Sequence, residues 1–388
     1  MPYLEQSESD ARIARVRQLL AANELDLALV YYDEFNIGNG WYLTGWCPQF
    51  ESGAVLVPLK GQPMLLGGPE SEPFAKQESC ITETRNFPVF MVPDEEYPNA
   101  TIIDFPQLFD ELNRTLGQVR RVGLVGADRM PAAGYRQIAE GFRGVELVDI
   151  TDDYVRLRYV KSPWEIEQIR AAFELADLCY DAMKAKIAPG VSEIQVAAEG
   201  EYQARSRGAS GFGFSAIVGS GARSNAVVPT ASSKALVPGE LVMIGIAPKV
   251  RGYAGVVGDV LPVTGNYTPR QQELLKHLTH ALMLTREQLR PGAIGREIDA
   301  PARAYFEKTG LMPYLVCPFA HTIGLHEAEA PFFGPNSDDV LRPNMTVCVD
   351  VSFFGHPEFH GARIETGYLI TDSGCEPLSP KMDGRFTQ

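Results

Sequence analysis

Three short segments near the C-terminus carry the clearest signal of the architecture: AHTIGL at residues 320–325, PNMTVCVD at residues 343–350 and RIE at residues 363–365. His321 lies where a predicted strand enters a turn, and Asp350 ends an apolar, strand-like run. A carboxylate in a buried strand must be paired, protonated or bound to a cation. One histidine with the carboxylates Asp350 and Glu365 could therefore form a metal triad. The alternative is a structural salt-bridge network that includes Arg363.

Histidines and acidic residues are concentrated in the same window of the chain. Four of the six histidines fall there, namely His321, His326, His356 and His360. They share the window with the carboxylates Glu327, Glu329, Asp350 and Glu365. Histidine transfers protons near neutral pH and binds metals, and carboxylates around it raise its pKa or complete a metal site. The other two histidines, His277 and His280, fall on a leucine-rich predicted helix, where packing or surface positions are expected.

The overall charge excludes several classes of protein. The chain has 388 residues with 35 basic and 49 acidic side chains, so its formal net charge is −14. A nucleic-acid binder needs a basic face and an anionic membrane attracts basic segments, so neither partner is expected. The six cysteines form no C-x-x-C pair, which argues against a disulfide scaffold. The chain shows neither a long apolar span nor a signal-peptide pattern, so we expect a cytoplasmic protein.

The sequence pattern divides the chain into two domains. Residues 1–158 alternate helical and strand-like stretches, which is typical of an α/β domain. Helix-start signals occur at Ser7, at SPWE (162–165) and at TPRQ (268–271). Within residues 159–388 a Pro-Gly pair, a helical pattern and a later glycine occur at 189–208 and again at 291–310. A repeat predicts a pseudo-symmetric sheet with helices on one face; coincidence of common loop residues is the alternative.

Five motifs in this order resemble the creatinase, prolidase and aminopeptidase P family. They are Asn36-Ile37 with Tyr42-Leu43-Thr44-Gly45, KSPWEI at 161–166, and the segments at 320–325, 343–350 and 363–365. The resemblance implies an α/β (α+β) fold, with a creatinase/prolidase-like domain at residues 1–158 and a pseudo-symmetric pita-bread catalytic domain at residues 159–388. It also implies a homodimer.

Departures from the family pattern determine the predicted chemistry. Metallopeptidases of this family hold two divalent ions with two Asp, one His and two Glu. The resemblance places the two Asp positions at Gly245 and Val256, which offer no side-chain ligand. A two-metal site is therefore not expected, because two close cations need bridging carboxylates. We expect no cofactor; if a single metal binds, its ligands are His321, Asp350 and Glu365.

The sequence therefore predicts a metal-independent, creatinase-like hydrolase that cleaves a C–N bond of a small cationic or zwitterionic molecule. The predicted catalytic residues are His321 as the main acid/base, Asp350, Glu365 and, from its place in the creatinase pattern, Asp259. The predicted substrate-binding residues are Tyr253, His326, Glu329, His360, Arg363 and Phe212. The creatinase mechanism does not transfer intact, because its upstream histidine would fall at residues 226–228, which read Ala-Val-Val.

Several alternatives stay open on the sequence alone. Arg363 could orient a substrate carboxylate or pair with Glu365. Phe214, like Phe212, could face a substrate cation or simply belong to the core. The whole protein could be a divalent-metal-dependent Xaa-Pro dipeptidase or aminopeptidase, a lyase on the same fold, or a relative that binds peptides without catalysis.

Overall fold

The structure, a computed structural model, describes residues 3–387. The chain divides after Arg158 into two compact units, each with its own hydrophobic core. Within the described residues, no helix combines the length and apolarity that a bilayer crossing requires.

The first unit is a mixed sheet packed against helices. Its strands are β1 (Leu27–Tyr32), β2 (Gly53–Pro58), β3 (Met64–Gly67), β4 (Thr84–Asn86), β5 (Arg121–Val125) and β6 (Glu146–Asp149). Its helices are α1 (Gln6–Ala22), α2 (Ile37–Thr44), α3 (Glu72–Glu78), α4 (Phe105–Leu116), α5 (Ala132–Gly141) and α6 (Thr151–Arg156). The strand order is β4-β3-β2-β1-β5-β6, with β1 parallel to β5 and antiparallel to β2. All residues of β1 are buried, because the strand lies inside the sheet.

The second unit is built on an antiparallel sheet. Its strands are β7 (Gly211–Phe212), β8 (Ile217–Ser220), β9 (Leu241–Ile246), β10 (Pro248–Val250), β11 (Tyr253–Ala254), β12 (Val257–Pro262), β13 (Ala320–Thr322), β14 (Glu329–Phe332), β15 (Thr346–His356), β16 (His360–Ile370) and β17 (Cys375–Pro377). Its helices are α7 (Pro163–Lys186), α8 (Glu193–Ser206), α9 (Pro269–Arg286), α10 (Gly295–Thr309) and α11 (Pro380–Thr387). The main sheet runs β14-β13-β15-β16-β12-β9-β8, and β11-β10-β7 form a smaller one.

Two of the three predicted helix starts are confirmed. The Ser162 hydroxyl accepts the Glu165 N–H while the Glu165 carboxylate accepts the Ser162 N–H, so both ends of the capping box are present at α7. Thr268 caps α9 in the same way. The prediction at Ser7 is wrong, because α1 begins one residue earlier at Gln6 without a side-chain cap.

The internal repeat is confirmed by matching backbone geometry. Gly190 and Gly292 both have φ of +84°, which only glycine adopts readily. The Gly190 N–H donates to the Leu236 carbonyl at 2.9 Å, and the Gly292 N–H donates to the Leu341 carbonyl at 2.9 Å. Each Pro-Gly turn therefore anchors the following helix, α8 or α10, to an equivalent extended segment.

The hairpin of β15 and β16 sets the position of the candidate site. In its register Asp350 lies opposite Glu365 and Ser352 lies opposite Arg363. On the other side of β16, Gly258 of β12 pairs with Glu365. Side chains alternate along a strand, so one-residue shifts would turn these groups to the other face of the sheet.

Candidate active site

A cluster of buried ionisable side chains lies on one face of the β13-β15-β16 sheet. His321 comes from β13, Asp350 from β15, and Arg363 and Glu365 from β16. Their exposed fractions are between 1% and 7%. The sheet register brings them together, because His321 pairs with Cys348, two residues before Asp350 on the same strand. The structure therefore assembles the three residues that the sequence predicts as the centre of the site.

The imidazole of His321 is held in one orientation. Its Nδ1 lies 3.0 Å from the Thr322 carbonyl oxygen, which can only accept, so Nδ1 carries a proton. Nε2 consequently faces the cluster, 3.4 Å from Glu365 Oε1 and 3.8 Å from Glu327 Oε1. A backbone carbonyl on Nδ1 is the usual way that proteins fix Nε2 as a ligand or proton carrier.

Arg363 lies between the two carboxylates. Its Nη2 donates to Glu365 Oε2 at 2.7 Å and lies 3.0 Å from Asp350 Oδ2. The second oxygen of Asp350 accepts the Ser352 hydroxyl at 2.7 Å. Of the two roles left open by the sequence for Arg363, the structure shows the pairing with Glu365.

Glu327 is a member of the cluster to which sequence reasoning assigned no role. Its Oε1 is buried, lies 3.8 Å from both His321 and Arg363, and has no hydrogen-bond partner. Gly213 permits this position, because a Cβ there would come within 2.7 Å of the Glu327 Cβ. The signal in the sequence was its place in the acidic window, but the irregular register after His321 made its direction unpredictable.

The electrostatics of the cluster are set by burial and by close opposite charges. Burial alone would lower the pKa of His321, but Glu365, Glu327 and Asp350 outweigh it and raise the pKa to about 9. Burial and repulsion from Glu365 raise the pKa of Glu327 to about 8. Burial would raise the pKa of Glu365, but Arg363 and His321 lower it. Burial also raises the pKa of Asp350, although the neighbouring Arg363 acts against this shift.

Three predicted site residues have other partners. Asp259 was predicted to be catalytic, but it accepts hydrogen bonds from Tyr180 of α7 and Arg385 of α11, on the helix-covered face opposite Gly258 and Glu365. Tyr253 donates to Glu165 at 2.9 Å and so supports the α7 cap. Glu329 forms a buried ion pair with Lys161 at 2.8 Å. Each of the three thus has a partner outside the group of His321, Asp350, Arg363 and Glu365.

The remaining predicted substrate-binding residues are distributed around the unit. His360 lies at the turn of the β15-β16 hairpin, five residues from Glu365 and thus about 17 Å along the strand. The ring of Phe212 contacts Arg205, whose Cζ lies 5.1 Å from its centroid. His326 is half-buried in the segment between β13 and β14. The aromatic residue at the cluster is instead Phe214, whose ring centroid lies 5.9 Å from the Arg363 Cζ.

The donor set fits one divalent ion. One ligand atom each from His321, Asp350 and Glu365 lie within 4.8 Å of one another. Glu365 Oε1 is buried and has no hydrogen-bond partner, as expected for an oxygen whose natural partner is a cation. One imidazole with two carboxylates suits divalent transition metals. Gly245 and Val256 add no ligand, so the residues do not fit a second ion.

Comparison with known proteins identifies the family. Residues 167–372 match the model of metallopeptidase family M24, and residues 12–160 match the creatinase/prolidase N-terminal domain. The chain belongs to metallopeptidase family M24. An uncharacterized peptidase of Bacillus subtilis, YqhT, is 30% identical over 265 residues, which cover 68% of this chain and 74% of that protein. An Xaa-Pro dipeptidase of Pyrococcus horikoshii is 26% identical over 369 residues, covering 95% of this chain and 96% of that protein.

Solved structures confirm the family fold. The prolidase of Pyrococcus horikoshii aligns with a TM-score of 0.81 at 24% identity, covering 95% of this chain and 98% of that one. The prolidase of Pyrococcus furiosus aligns with a TM-score of 0.78 at 25% identity, covering 94% and 99%. The predicted pita-bread architecture is confirmed, as is the prediction of a hydrolase acting on C–N bonds, since the M24 relatives are peptidases.

Two predictions are wrong. The metal-independent, creatinase-like hydrolase of a small cationic or zwitterionic substrate is contradicted, because the relatives are Xaa-Pro dipeptidases and the family is one of metallopeptidases. The prediction of no cofactor fails for the same reason, and because His321, Asp350 and Glu365 form a set that could hold an ion. The missing carboxylates at Gly245 and Val256 were given too much weight, since a three-ligand site does not require them.

Proposed function

We propose that this M24 protein is a divalent-metal-dependent peptidase that hydrolyses the bond preceding proline in Xaa-Pro peptides, with one ion held by His321, Asp350 and Glu365. The observation that carries the proposal is the buried Glu365 Oε1, which has no hydrogen-bond partner and lies 3.4 Å from His321 Nε2 within a set of three possible ligands. The names of the relatives, Xaa-Pro dipeptidase and prolidase, support the substrate class.

The proposal assigns separate roles to the side chains of the site: metal binding, proton transfer and an apolar boundary. A divalent ion bound by the three ligands supplies Lewis-acid chemistry. Glu327 is the carboxylate of the cluster that is not needed as a ligand, and its Oε1 has no hydrogen-bond partner. In its ionised form, which the charge of a bound divalent ion would favour, Glu327 takes the proton of the attacking water and returns it to the proline nitrogen as the peptide bond breaks. Two aromatic rings form apolar walls of the site, those of Phe214 and the half-exposed Phe332. The ring centroid of Phe332 is 6.2 Å from that of His321.

The assembly and the cellular location are further parts of the proposal. The homodimer rests on family resemblance, and sedimentation of the purified chain tests it. The cytoplasmic location is supported by the six cysteines, all of which are free thiols, a state that suits a reducing compartment. Cell fractionation tests that assignment.

The catalytic proposal is tested with chelator-stripped protein that is reloaded with Mn²⁺ and assayed on Leu-Pro, with Leu-Ala as the comparison peptide. We expect hydrolysis of Leu-Pro only after reloading. Glu327→Gln should lower kcat by about a hundredfold or more without reducing the Mn²⁺ content, because only the proton carrier is lost. His360→Ala is the matched control and should keep full activity, since His360 lies at the hairpin turn.

Two results would overturn the proposal. Undiminished Leu-Pro hydrolysis by metal-free protein would remove the role of the ion. Protein that holds Mn²⁺ but cleaves no Xaa-Pro peptide would remove the substrate assignment, and binding without turnover would then indicate a peptide-binding relative.

A further inference from the structure

Arg363 is a permanent cation placed at two of the three possible metal ligands. Its Nη2 contacts Asp350 Oδ2 at 3.0 Å and Glu365 Oε2 at 2.7 Å, and the side chain is 5% exposed. We infer that Arg363 is an internal counter-cation that competes with the divalent ion for Asp350 and Glu365. The inference rests on the proposed function, because it concerns the same three-ligand site.

The apo cluster needs such a cation. Buried carboxylates are costly unless they are paired, and Asp350 and Glu365 lie opposite each other in the hairpin register. Arg363 supplies both with a charge-assisted hydrogen bond or ion pair, which keeps them close together without a metal. The consequence is a folded apo protein whose ligands are already assembled.

Apart from these two contacts, the surroundings of Arg363 do little to hold its guanidinium in place. Its Nε is buried without a hydrogen-bond partner, and the Phe214 ring, at 5.9 Å from Cζ, offers no hydrogen-bond acceptor in the plane of the guanidinium. Asp350 and Glu365, with Glu327 farther away at 3.8 Å, therefore supply most of what fixes the guanidinium. A divalent ion bound by Asp350 and Glu365 competes with Arg363 for their negative charge and adds two positive charges beside the guanidinium, so metal binding works against Arg363.

Two roles for Arg363, competition with the metal and positioning of the ligands, predict opposite changes in metal affinity when Arg363 is removed. If Arg363 only positions the ligands, its removal disorders them and weakens metal binding. If Arg363 competes, its removal strengthens metal binding while it destabilises the apo protein. The sign of the change in metal affinity therefore separates the two roles, independently of catalytic activity.

The experiment measures Mn²⁺ affinity by titration calorimetry, and the thermal midpoint of chelator-stripped protein, for wild type, Arg363→Met and Arg363→Lys. We expect Arg363→Met to bind Mn²⁺ about tenfold or more tightly than wild type, with a lower midpoint in the apo state that Mn²⁺ restores. Arg363→Lys should lie between them, because an ammonium cannot match the fork of a guanidinium. Arg385→Met, which breaks the Arg385–Asp259 pair, is the control and should lower the midpoint without changing the affinity.

Each outcome decides the inference. Equal or weaker Mn²⁺ binding by Arg363→Met would overturn it and leave the proposed function standing. If that variant does not fold, Arg363→Lys decides by the same criterion. Absence of Mn²⁺ binding in all variants would overturn both this inference and the metal site, whereas tighter binding without Leu-Pro hydrolysis would support the inference and overturn only the substrate assignment.

Discussion

Lys161 and Glu329 form an ion pair that is buried in the second unit, so the loss of either partner alone should be costly. The two side chains are 1% and 4% exposed, and Lys161 Nζ lies 2.8 Å from Glu329 Oε1. Lys161 precedes α7, while Glu329 begins β14 beside the His321 strand. We predict that Lys161→Met destabilises the unit strongly, because it removes the ammonium group that pairs with the buried Glu329 carboxylate at 2.8 Å.

The magnitude follows from the separation and the burial. At 2.8 Å an effective dielectric constant of about 20 gives an attraction of roughly 6 kcal/mol. The desolvation of both ions offsets much of this attraction in the intact pair. Removal of one partner forfeits the attraction while the other stays buried, so we expect a loss of about 3–5 kcal/mol. The double variant Lys161→Met/Glu329→Met should recover most of that loss, because no buried charge remains.

The assay is urea unfolding followed by the fluorescence of Trp164, which lies next to the pair in sequence. Trp41 and Trp46 belong to the first unit, so their replacement by Phe in all variants makes the signal report the second unit. A loss below about 1 kcal/mol for Lys161→Met would show that Glu329 finds water or another partner and would refute the reasoning. A double variant as unstable as the sum of the single ones would refute it as well.

Other expectations concern metal count, acid stability and catalysis. The double variant Gly245→Asp/Val256→Asp should raise bound Mn²⁺ from one to two ions per chain, measured by elemental analysis. A side chain fits at Gly245, because the atoms nearest to a Cβ there are at 3.5 Å. An unchanged ratio of Mn²⁺ to protein would contradict this expectation. Burial raises the pKa of Glu193, but hydrogen bonds from Ser232, Arg223 and Ser220 outweigh it and lower the pKa. Glu193→Gln should therefore lower the free energy of unfolding by about 2 kcal/mol at pH 7. This difference from wild type should shrink as the pH falls below 4.5 and Glu193 becomes protonated in the wild type. A difference that does not depend on pH would count against ionisation as its cause. Asp259→Asn should lower stability by about 3 kcal/mol yet keep kcat, and loss of kcat in folded protein would restore Asp259 as a catalytic residue.

Sequence reasoning predicted the fold well where the signal is local. The capping box at Ser162 depends on two side chains three residues apart, so it can be predicted from residues that are close in sequence. At Ser7 the similar signal is not realised, because α1 begins at Gln6 without a side-chain cap. The contact that ties this helix into the unit is instead made by Ser9, whose hydroxyl donates to the Leu43 carbonyl at 2.6 Å. The sequence around Ser7 contains no information about that distant carbonyl.

The candidate site shows the same limit. His321, Asp350 and Glu365 lie in recognisable motifs, and the structure brings them together. The catalytic role of Asp259 stays a prediction, because a motif gives the position along a strand but not the face. The pairing of Gly258 with Glu365 turns Asp259 toward the helices. The side-chain direction of Glu327 depends on a register irregularity after His321 that no short-range pattern predicts.

The internal repeat divides this site unequally. The three retained ligand positions lie on β13 and the β15-β16 hairpin, in the second repeat, whereas Gly245 and Val256 lie on or beside β9 and β12, in the first. The candidate ligands thus come from one half of the repeated unit alone, and Gly245 and Val256 of the other half add none. A substitution in the second half can change the ligand set directly, whereas one in the first half reaches it through the pairing of β12 with β16.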